Sequence, residues 1–245
     1  MTAGLPRRQI YRLPRAQRVA DIMETARIVF CEKGYGDAAI ADIAQRAGVV
    51  EGTIYRYFTG KRDLLIKVVE HWYDAILSDY GQQLRGLRGT WNRLRFMVWR
   101  HLAVIHDDPA MIRLIFNELR SGPEYRGTAV FELNRAYTQL TLAIVEEAMA
   151  SGEFRPGIPL GIVRDMIYGG VEHHIWAFLR GEGDFSPEDS ADAITDIIYR
   201  GLVRSGVAID RGEEAIRRLE EVADRLERAS GMTEEMSRKT GKSAC

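Results

Sequence analysis

Residues 48–58 read GVVEGTIYRYF, a segment that combines apolar residues at helical spacing with a dense polar cluster. The spacing of Val49, Ile54 and Phe58 places their apolar side chains on one side of a short helix. The tripeptide YRY at residues 55–57 then puts two phenols and a guanidinium within a single turn. The apolar side of such a helix needs neighbouring helices to pack against. The concentrated polar cluster on its other side needs a separate explanation.

Helical periodicity continues on both sides of this stretch. A first helix is predicted over residues 15–33, and Gly34 stops it. A second, very short helix ends at Gly48, which can adopt the left-handed conformation that turns the chain. Its apolar stripe consists of Ile40, Ile43, Ala44 and Ala47. A third helix is predicted over residues 51–58. Two short helices joined by a tight turn form a helix-turn-helix, whose second helix enters the major groove of DNA.

The outward side of the third helix carries groups suited to a nucleic acid. Gly52 allows close approach of the backbone, and hydroxyl groups such as that of Thr53 can donate to phosphate oxygens. Arg56 can reach either a phosphate or a guanine edge. The alternative is that Tyr55 or Tyr57 simply packs against a neighbouring helix.

The charge distribution also indicates a polyanion partner. Residues 1–62 have a net charge of +5, and the rest of the chain has a net charge of −6. Chance clustering on a solvated surface is the alternative explanation. Lys61 and Arg62 begin the next helix, where cations meet the positive end of the helix dipole. Their position is reasonable if they and the helix N-terminus bind a phosphate together.

About residues 17 to 66 carry a specific set of motif positions. These are Ala26, Phe30, Gly34-Tyr35, Ile43-Ala44, Ala47-Gly48-Val49, Gly52-Thr53, Tyr55, Tyr57-Phe58 and Lys61. The segment resembles the N-terminal DNA-binding domain of the TetR/AcrR family of bacterial transcriptional regulators. The resemblance implies a homodimer on a palindromic operator, usually a repressor, released when a small molecule enters the C-terminal domain. It also implies a set of DNA contacts: Gly52, Thr53, Tyr55, Arg56, Tyr57 and Lys61.

Two positions depart from the family pattern. Ala39, with Ala38 before it, stands where the family usually has a hydroxyl residue that caps the second helix. The missing cap costs about 1 kcal/mol, unless Asp37 substitutes for it. Val50 stands where the family often has a small or hydroxyl residue. Specificity should then depend on the third helix and on the basic arm formed by Arg7, Arg8, Arg12 and Arg15.

The remaining sequence predicts further helices and no strands, so the fold class is all-α. After a long helix that begins at Lys61, helices are predicted over 91–106, 109–120, 124–150, 159–180, 187–204 and 211–229. The predicted domains are a DNA-binding domain with a basic arm at 1–62, a ligand-binding and dimerisation domain at 63–229, and a disordered tail at 230–245.

A dimer seam is predicted on the last long helices. Gly169-Gly170 lies inside a helix, where each glycine costs about 1 kcal/mol relative to alanine unless another helix approaches closely. The seam residues are Ile162, Met166, Gly170, His173, Trp176, Ile194, Ile198 and Leu202. The alternative is that both helices pack only within their own subunit.

A pocket for a small effector is predicted on the middle helices, because ligand sites combine apolar walls with a few polar groups. Its candidate residues are Trp72, Phe96, Trp99, Phe116, Asn117, Tyr137, Thr141 and Tyr168. An aromatic stripe of this kind can equally be plain core. The mixture suits an elongated apolar or aromatic effector, for example an acyl chain, an acyl-CoA, a hydrophobic drug or an aromatic metabolite.

Several function classes are disfavoured. No P-loop, GxSxG or HExxH motif is present, and no cofactor is expected. The five histidines do not share a helical face, so no metal site is predicted. Neither a secretory signal nor a membrane-length apolar run is seen, and the cysteines are read as free thiols in a bacterial cytoplasm. There the protein would associate with the nucleoid when bound to its operator. A DNA-binding dimer that answers to a partner protein, or to nothing, remains the alternative function.

Overall fold

Amphipathic spacing and turn residues divide residues 14–204, the part of the chain that the computed structural model describes, into helices. The α-helices in this range are α1 (Arg15–Asp37), α2 (Ile40–Arg46), α3 (Glu51–Tyr55), α4 (Lys61–Leu84), α5 (Thr90–Asp107), α6 (Pro109–Leu114), α7 (Ala129–Ala150), α8 (Leu160–Leu179) and α9 (Pro187–Leu202). A π-helix (Ile115–Arg120) follows α6, and a 3₁₀ turn (Tyr125–Gly127) precedes α7. The described residues contain no β-strand, only an isolated bridge between Phe154 and Val203. The all-α prediction is confirmed.

Several predicted boundaries differ from the observed ones. The chain remains helical beyond Gly34, but that residue interrupts α1 with φ of 77°. The third helix ends at Tyr55 rather than at residue 58. The helix predicted over 109–120 divides into α6 and the π-helix. The predicted helix at 211–229, the predicted tail at 230–245 and the arm residues Arg7, Arg8 and Arg12 lie outside the described residues.

The N-terminal helices share a core that holds the helix-turn-helix in place. Ile22, Ala26 and Phe30 of α1 are fully buried. They join Ile43 of α2 and Ile54 of α3, which are also fully buried, in one apolar cluster. The orientation of α3 is therefore determined by the apolar side of each helix.

Helix α4 joins this region to the rest of the described chain. It contacts both α1 and α7, and it buries Leu64, Leu65 and Val68. Helix α5 packs along α9, and α7 also contacts α5 and α8. The predicted domain boundary between residues 62 and 63 falls within the first turn of α4, so this boundary remains a prediction.

Candidate nucleic-acid interface and effector clefts

The turn between α2 and α3 has the geometry that the sequence predicts. Gly48 has φ of 66°, in the left-handed region. The N–H of Val49 donates to the carbonyl oxygen of Ala44 at 2.9 Å, which closes the end of α2. Ile54 is fully buried and Phe58 is 4% exposed, as predicted for the inner side of the second helix. The helix-turn-helix is thus formed by the predicted residues.

The outward side of α3 carries most of the predicted DNA contacts. Gly52, Tyr55 and Arg56 are exposed, and the exposed fraction of Tyr55 is 54%. Thr53 is half-buried. Tyr57 is also half-buried and packs against the core, so the packing alternative applies to Tyr57 and not to Tyr55.

Two arginines lie against the half-buried Tyr57. The guanidinium carbon of Arg15 is 5.6 Å from the centre of the Tyr57 ring, and that of Arg56 is 5.3 Å from it. Both distances are within the range of cation–π attraction. Tyr57 thus holds a cation from α1 and one from the end of α3 at the same part of the surface.

Lys61 has a structural role that sequence reasoning missed. Its ammonium donates to the carbonyl oxygens of Tyr35, Gly36 and Ala38 at 2.7, 3.2 and 2.9 Å, and it lies 4.5 Å from the centre of the Tyr35 ring. An ammonium has three hydrogens to donate, so a phosphate contact by Lys61 requires the exchange of one of these bonds. The predicted DNA contact at Lys61 remains a prediction.

The start of α2 is capped by a residue other than the expected one. Ala39 has no side-chain acceptor, and its own N–H donates to Oδ2 of Asp42 at 3.2 Å. The ammonium of Lys33 lies 2.8 Å from the same oxygen. The hydrogen bond from Lys33 and then that from Ala39 lower the pKa of Asp42. Asp42, rather than Asp37, therefore compensates in part for the missing hydroxyl.

The predicted effector residues do not converge on one pocket. Tyr137 and Thr141 are buried, with exposed fractions of 4% and 0%, and belong to the core. Asn117 is exposed on the π-helix. Trp72 lines a cleft of about 330 Å³ between α1 and α4. Phe96 and Trp99 line another, of about 620 Å³, near the start of α9.

A third cleft contains the remaining two predicted effector residues, Phe116 and Tyr168. It has a volume of about 300 Å³ and lies between α5, the π-helix, α7 and α8. Its other lining residues are His101, Arg120, Asn134, Thr138, Arg164, Asp165, Gly169 and Glu172. This lining is more polar than the predicted pocket, and we call it the polar cleft. Sequence reasoning missed these residues because they come from four separate helices and no local motif or spacing connects them.

Hydrogen bonds and ion pairs organise the walls of the polar cleft. Arg120 lies 3.1 Å from Glu172 and 4.7 Å from the centre of the Phe116 ring. Oγ1 of Thr141 and the hydroxyl of Tyr168 are 2.7 Å apart. Burial lowers the pKa of His101 to about 4, so its imidazole is neutral near pH 7. The cleft therefore offers a neutral base and a paired arginine beside aromatic rings.

Most α8 residues of the predicted dimer seam are exposed, and the seam itself remains a prediction. On α8, Ile162 and Met166 are 56% and 62% exposed, and Gly170 and His173 are exposed too. Trp176 is instead half-buried, and its ring lies 5.7 Å from that of Phe116.

The α9 residues of the predicted seam do not lie on the exposed side of that helix. Leu202 is 7% exposed and packs in the core, and Ile194 and Ile198 are half-buried against it. The exposed apolar side of α9 is formed by Ala193, Ile197 and Gly201, and Ile197 is 71% exposed. The regular spacing of four residues was the signal that could have identified this second face.

Neither a metal site nor a membrane span is found among the residues that the structure describes. Residues 14–204 contain no group of three or more potential metal ligands. No helix in the same range combines the length and apolar character that crossing a bilayer requires.

Two family profiles match the chain. The profile of the bacterial regulatory proteins of the tetR family matches residues 22–68, and that of the tetracyclin repressor-like C-terminal domain matches residues 88–202. Together they span about two thirds of the chain. The first match contains α2 and α3, and the second contains the polar cleft.

Full-length relatives are similar in sequence and fold. The chain is 22% identical over 181 residues to the fatty acid metabolism regulator protein of Bacillus subtilis (strain 168), covering 74% of this chain and 93% of that protein. It is 20% identical over 194 residues to the HTH-type transcriptional repressor KstR2 of Mycobacterium tuberculosis (strain H37Rv), covering 78% and 95%. The crystal structure of FadR from Bacillus subtilis in complex with stearoyl-CoA has a TM-score of 0.68, with 23% identity and coverage of 74% and 98%. These relatives are transcriptional regulators, not enzymes.

Proposed function

The chain belongs to the tetR family of bacterial regulatory proteins, and on this basis we propose that it is a dimeric, ligand-responsive repressor of a palindromic operator. Two α3 helices of a dimer would read half-sites about 34 Å apart. A small effector bound in the body of the protein would release it from DNA. The protein would act in the bacterial cytoplasm, where its operator is found.

The exposed side of α3 is the observation that carries the proposal. Glycine is a poorer helix former than alanine, and Gly52 is the second residue of α3. A Cβ atom at this position would meet nothing within 4 Å in the described chain, and its backbone does not require glycine. Close approach of something outside the subunit would account for the glycine. With Tyr55 and Arg56 exposed beside it, a DNA groove fits that description.

Exposed apolar groups support a dimer. Ile162 and Met166 on α8 and Ile197 on α9 are each more than half exposed. A Cβ atom at Gly169 or Gly170 would meet nothing within 4 Å, so packing within the described chain does not explain either glycine. We infer that the partner's α8 and α9 cover this surface, with the glycines allowing close helix approach.

The polar cleft is the best candidate for the effector site. Its volume of about 300 Å³ is at the lower end for ligand pockets. The Phe116 ring and the aromatic core beneath it suit an apolar chain, and Arg120 suits an anionic or polar head group. Because a relative forms a complex with stearoyl-CoA, we propose an acyl chain or an acyl-CoA as the effector. Control by a partner protein, or the absence of any effector, is the alternative that the experiment below addresses.

Selection of duplexes from a randomised DNA library by the full-length protein tests the function. We expect a palindromic sequence to be enriched and then to bind with an affinity that falls as salt concentration rises. Stearoyl-CoA should weaken this binding. Enrichment of no sequence would contradict the regulator function. Specific binding that no acyl-CoA changes would favour the alternative without an acyl effector.

Variants assign the DNA contacts. Arg56→Ala should weaken binding by about 1–3 kcal/mol and reduce the salt slope by about 1, since one cation is lost from the interface. Tyr55→Phe should cause a smaller loss, because only the hydroxyl is removed. Arg126→Ala, which removes a cation from an exposed turn in the body, is the matched control and should leave both quantities unchanged. Wild-type behaviour of Arg56→Ala and Tyr55→Phe together would contradict the α3 interface.

A further inference from the structure

Val50 is the most exposed large apolar residue in the part of the chain that the structure describes, with an exposed fraction of 74%. It occupies the N-cap position of α3, with extended backbone angles of φ −85° and ψ 149° that any residue adopts. Its carbonyl oxygen accepts a hydrogen bond from the N–H of Thr53 at 2.8 Å, but its side chain makes no capping bond. The backbone therefore has a structural role that the valine side chain does not share.

Valine is unfavourable at this position in two respects. A serine, threonine or aspartate at an N-cap would accept a hydrogen bond from the first turn of the helix, which valine cannot do. An exposed isopropyl group also leaves apolar surface in water. The preceding residue, Val49, is half-buried and packs against the core, so the core does not need Val50 as well. The described residues thus provide no partner that explains the side chain.

Exposed large apolar residues occur on two surfaces of residues 14–204. Ile162, Met166 and Ile197 lie on the surface that we assign to the dimer partner. The other two are Val50 and Tyr55, at the two ends of α3. The first of these surfaces has a protein partner in the proposed function, and the second faces DNA. Val50 therefore stands at the start of the helix whose exposed side we assign to the duplex.

The chemistry of valine restricts what it can recognise there. The N-terminal residues of a recognition helix are those that reach base edges in the major groove. Valine has no hydrogen-bonding group in its side chain, so it cannot read the donor and acceptor pattern of a base pair. The apolar group that the standard bases present in the major groove is the C5-methyl of thymine. We propose that Val50 selects a thymine in each operator half-site by packing against this methyl group.

This inference rests on the proposed DNA-binding function, and the experiment separates the two. A duplex is first selected from a randomised library by the full-length protein. Each thymine of one half-site is then replaced in turn by deoxyuridine, which lacks only the C5-methyl group. Dissociation constants are measured by fluorescence anisotropy for the wild type, Val50→Ala and Val50→Ile. Because residue 50 is exposed, both variants should retain the wild-type melting temperature.

At one thymine of the half-site, deoxyuridine should weaken wild-type binding about fourfold, the factor expected for burial of one methyl group. Val50→Ala should bind the thymine and deoxyuridine duplexes with nearly equal affinity, and Val50→Ile should retain the wild-type preference. A deoxyuridine effect that is the same in Val50→Ala and the wild type at every thymine would overturn the inference while leaving the DNA-binding function intact. Enrichment of no duplex by the wild type would overturn both.

Discussion

The guanidinium of Arg62 donates a hydrogen bond to the backbone carbonyl oxygen of Glu118. This bond connects the first turn of α4, which follows the recognition helix, to the π-helix. Phe116 and Arg120 of the same π-helix line the polar cleft. A six-residue element thus touches the candidate effector site and the edge of the DNA-binding region. π-Helical turns occur frequently at functional sites, and a change to α-helical hydrogen bonding would reposition Glu118 relative to Arg62.

We expect Arg62→Ala to reduce the coupling between effector and operator. The measured quantity is the ratio of operator dissociation constants with and without stearoyl-CoA. The coupling free energy from this ratio should decrease by about 0.5–2 kcal/mol, because the variant loses the bond between α4 and the π-helix. A direct effect of residue 62 on DNA binding is present in both measurements and cancels in the ratio. Arg62→Lys, which keeps a donor, should retain more of the coupling, and an unchanged ratio in Arg62→Ala would contradict this role.

Lys61→Met should destabilise the fold. The variant keeps the aliphatic stem but leaves the carbonyl oxygens of Tyr35, Gly36 and Ala38 without their shared donor. We expect the free energy of unfolding in urea to fall by about 1–3 kcal/mol. Lys67→Met is the control, since the ion pair that Lys67 forms within residues 14–204 is with Glu70 on the same helix, and its loss should cost less than about 0.5 kcal/mol. Weaker operator binding by Lys61→Met without any loss of stability would instead favour a role at DNA alone.

The helix-turn-helix could be predicted from the sequence because its determinants are local. Ile43, Ile54 and Phe58 lie within sixteen residues of one another, and a helical period assigns them to one core. Gly48 marks the turn because few other residues tolerate its backbone angles. The apolar spacing and the turn at Gly48 therefore independently predict the same helix-turn-helix.

The effector region could not be predicted in the same way. Tyr137 and Tyr168 are both tyrosines on adjacent helices, yet Tyr137 belongs to the core and Tyr168 lines the polar cleft. Amphipathic spacing identifies the inward side of a helix but does not show whether that side meets packed atoms or a cavity. Helix α9 adds a second difficulty, because Ile197 and Ile198 are adjacent in sequence and point to different environments. Apolar residues on two sides of a helix do not reveal which side packs within the subunit.

The exposed surface of α8 and α9 leads to a prediction about assembly. Gly170→Leu should disrupt the dimer, because the added side chain would separate the two α8 helices. The substitution should not unfold the subunit, since a Cβ atom at residue 170 meets nothing within 4 Å. Ile197→Glu should have the same effect by placing a charge in an apolar interface. Sedimentation velocity of the full-length protein measures the outcome.

Gly170→Ala and Ile194→Val provide matched controls for assembly. Gly170→Ala adds only a methyl group, and Ile194 is half-buried on the inner part of α9, away from the proposed interface. Both variants should remain dimeric. A dimer that persists in Gly170→Leu and in Ile197→Glu would exclude α8 and α9 as the interface.

His101 leads to a prediction about pH. Nδ1 of His101 lies 3.0 Å from the hydroxyl oxygen of Tyr137, and its ring packs edge-on against Tyr168 with centroids 5.0 Å apart. Burial lowers the pKa of His101 to about 4, and the charge of Arg120 acts in the same direction. The unfolded chain, with an ordinary histidine pKa of about 6.5, binds a proton first as the pH falls. The lowered pKa of His101 therefore makes its full contribution to folding stability above about pH 6.5, and this contribution is lost progressively down to about pH 4.

Urea unfolding at pH 7 and pH 5 tests this prediction. The wild type should lose about 1–2 kcal/mol of unfolding free energy between these pH values through His101. His101→Gln, which can still hydrogen-bond to Tyr137 but does not titrate, should lose correspondingly less over the same interval. Carboxylates contribute little to the change in unfolding free energy between pH 7 and pH 5, because those of the unfolded chain titrate near pH 4, below this interval. His106→Gln is the matched substitution, made at a histidine that does not line the polar cleft. Equal losses in the wild type and in His101→Gln would mean that the cleft histidine is already charged, or that solvent reaches it freely, in the folded protein.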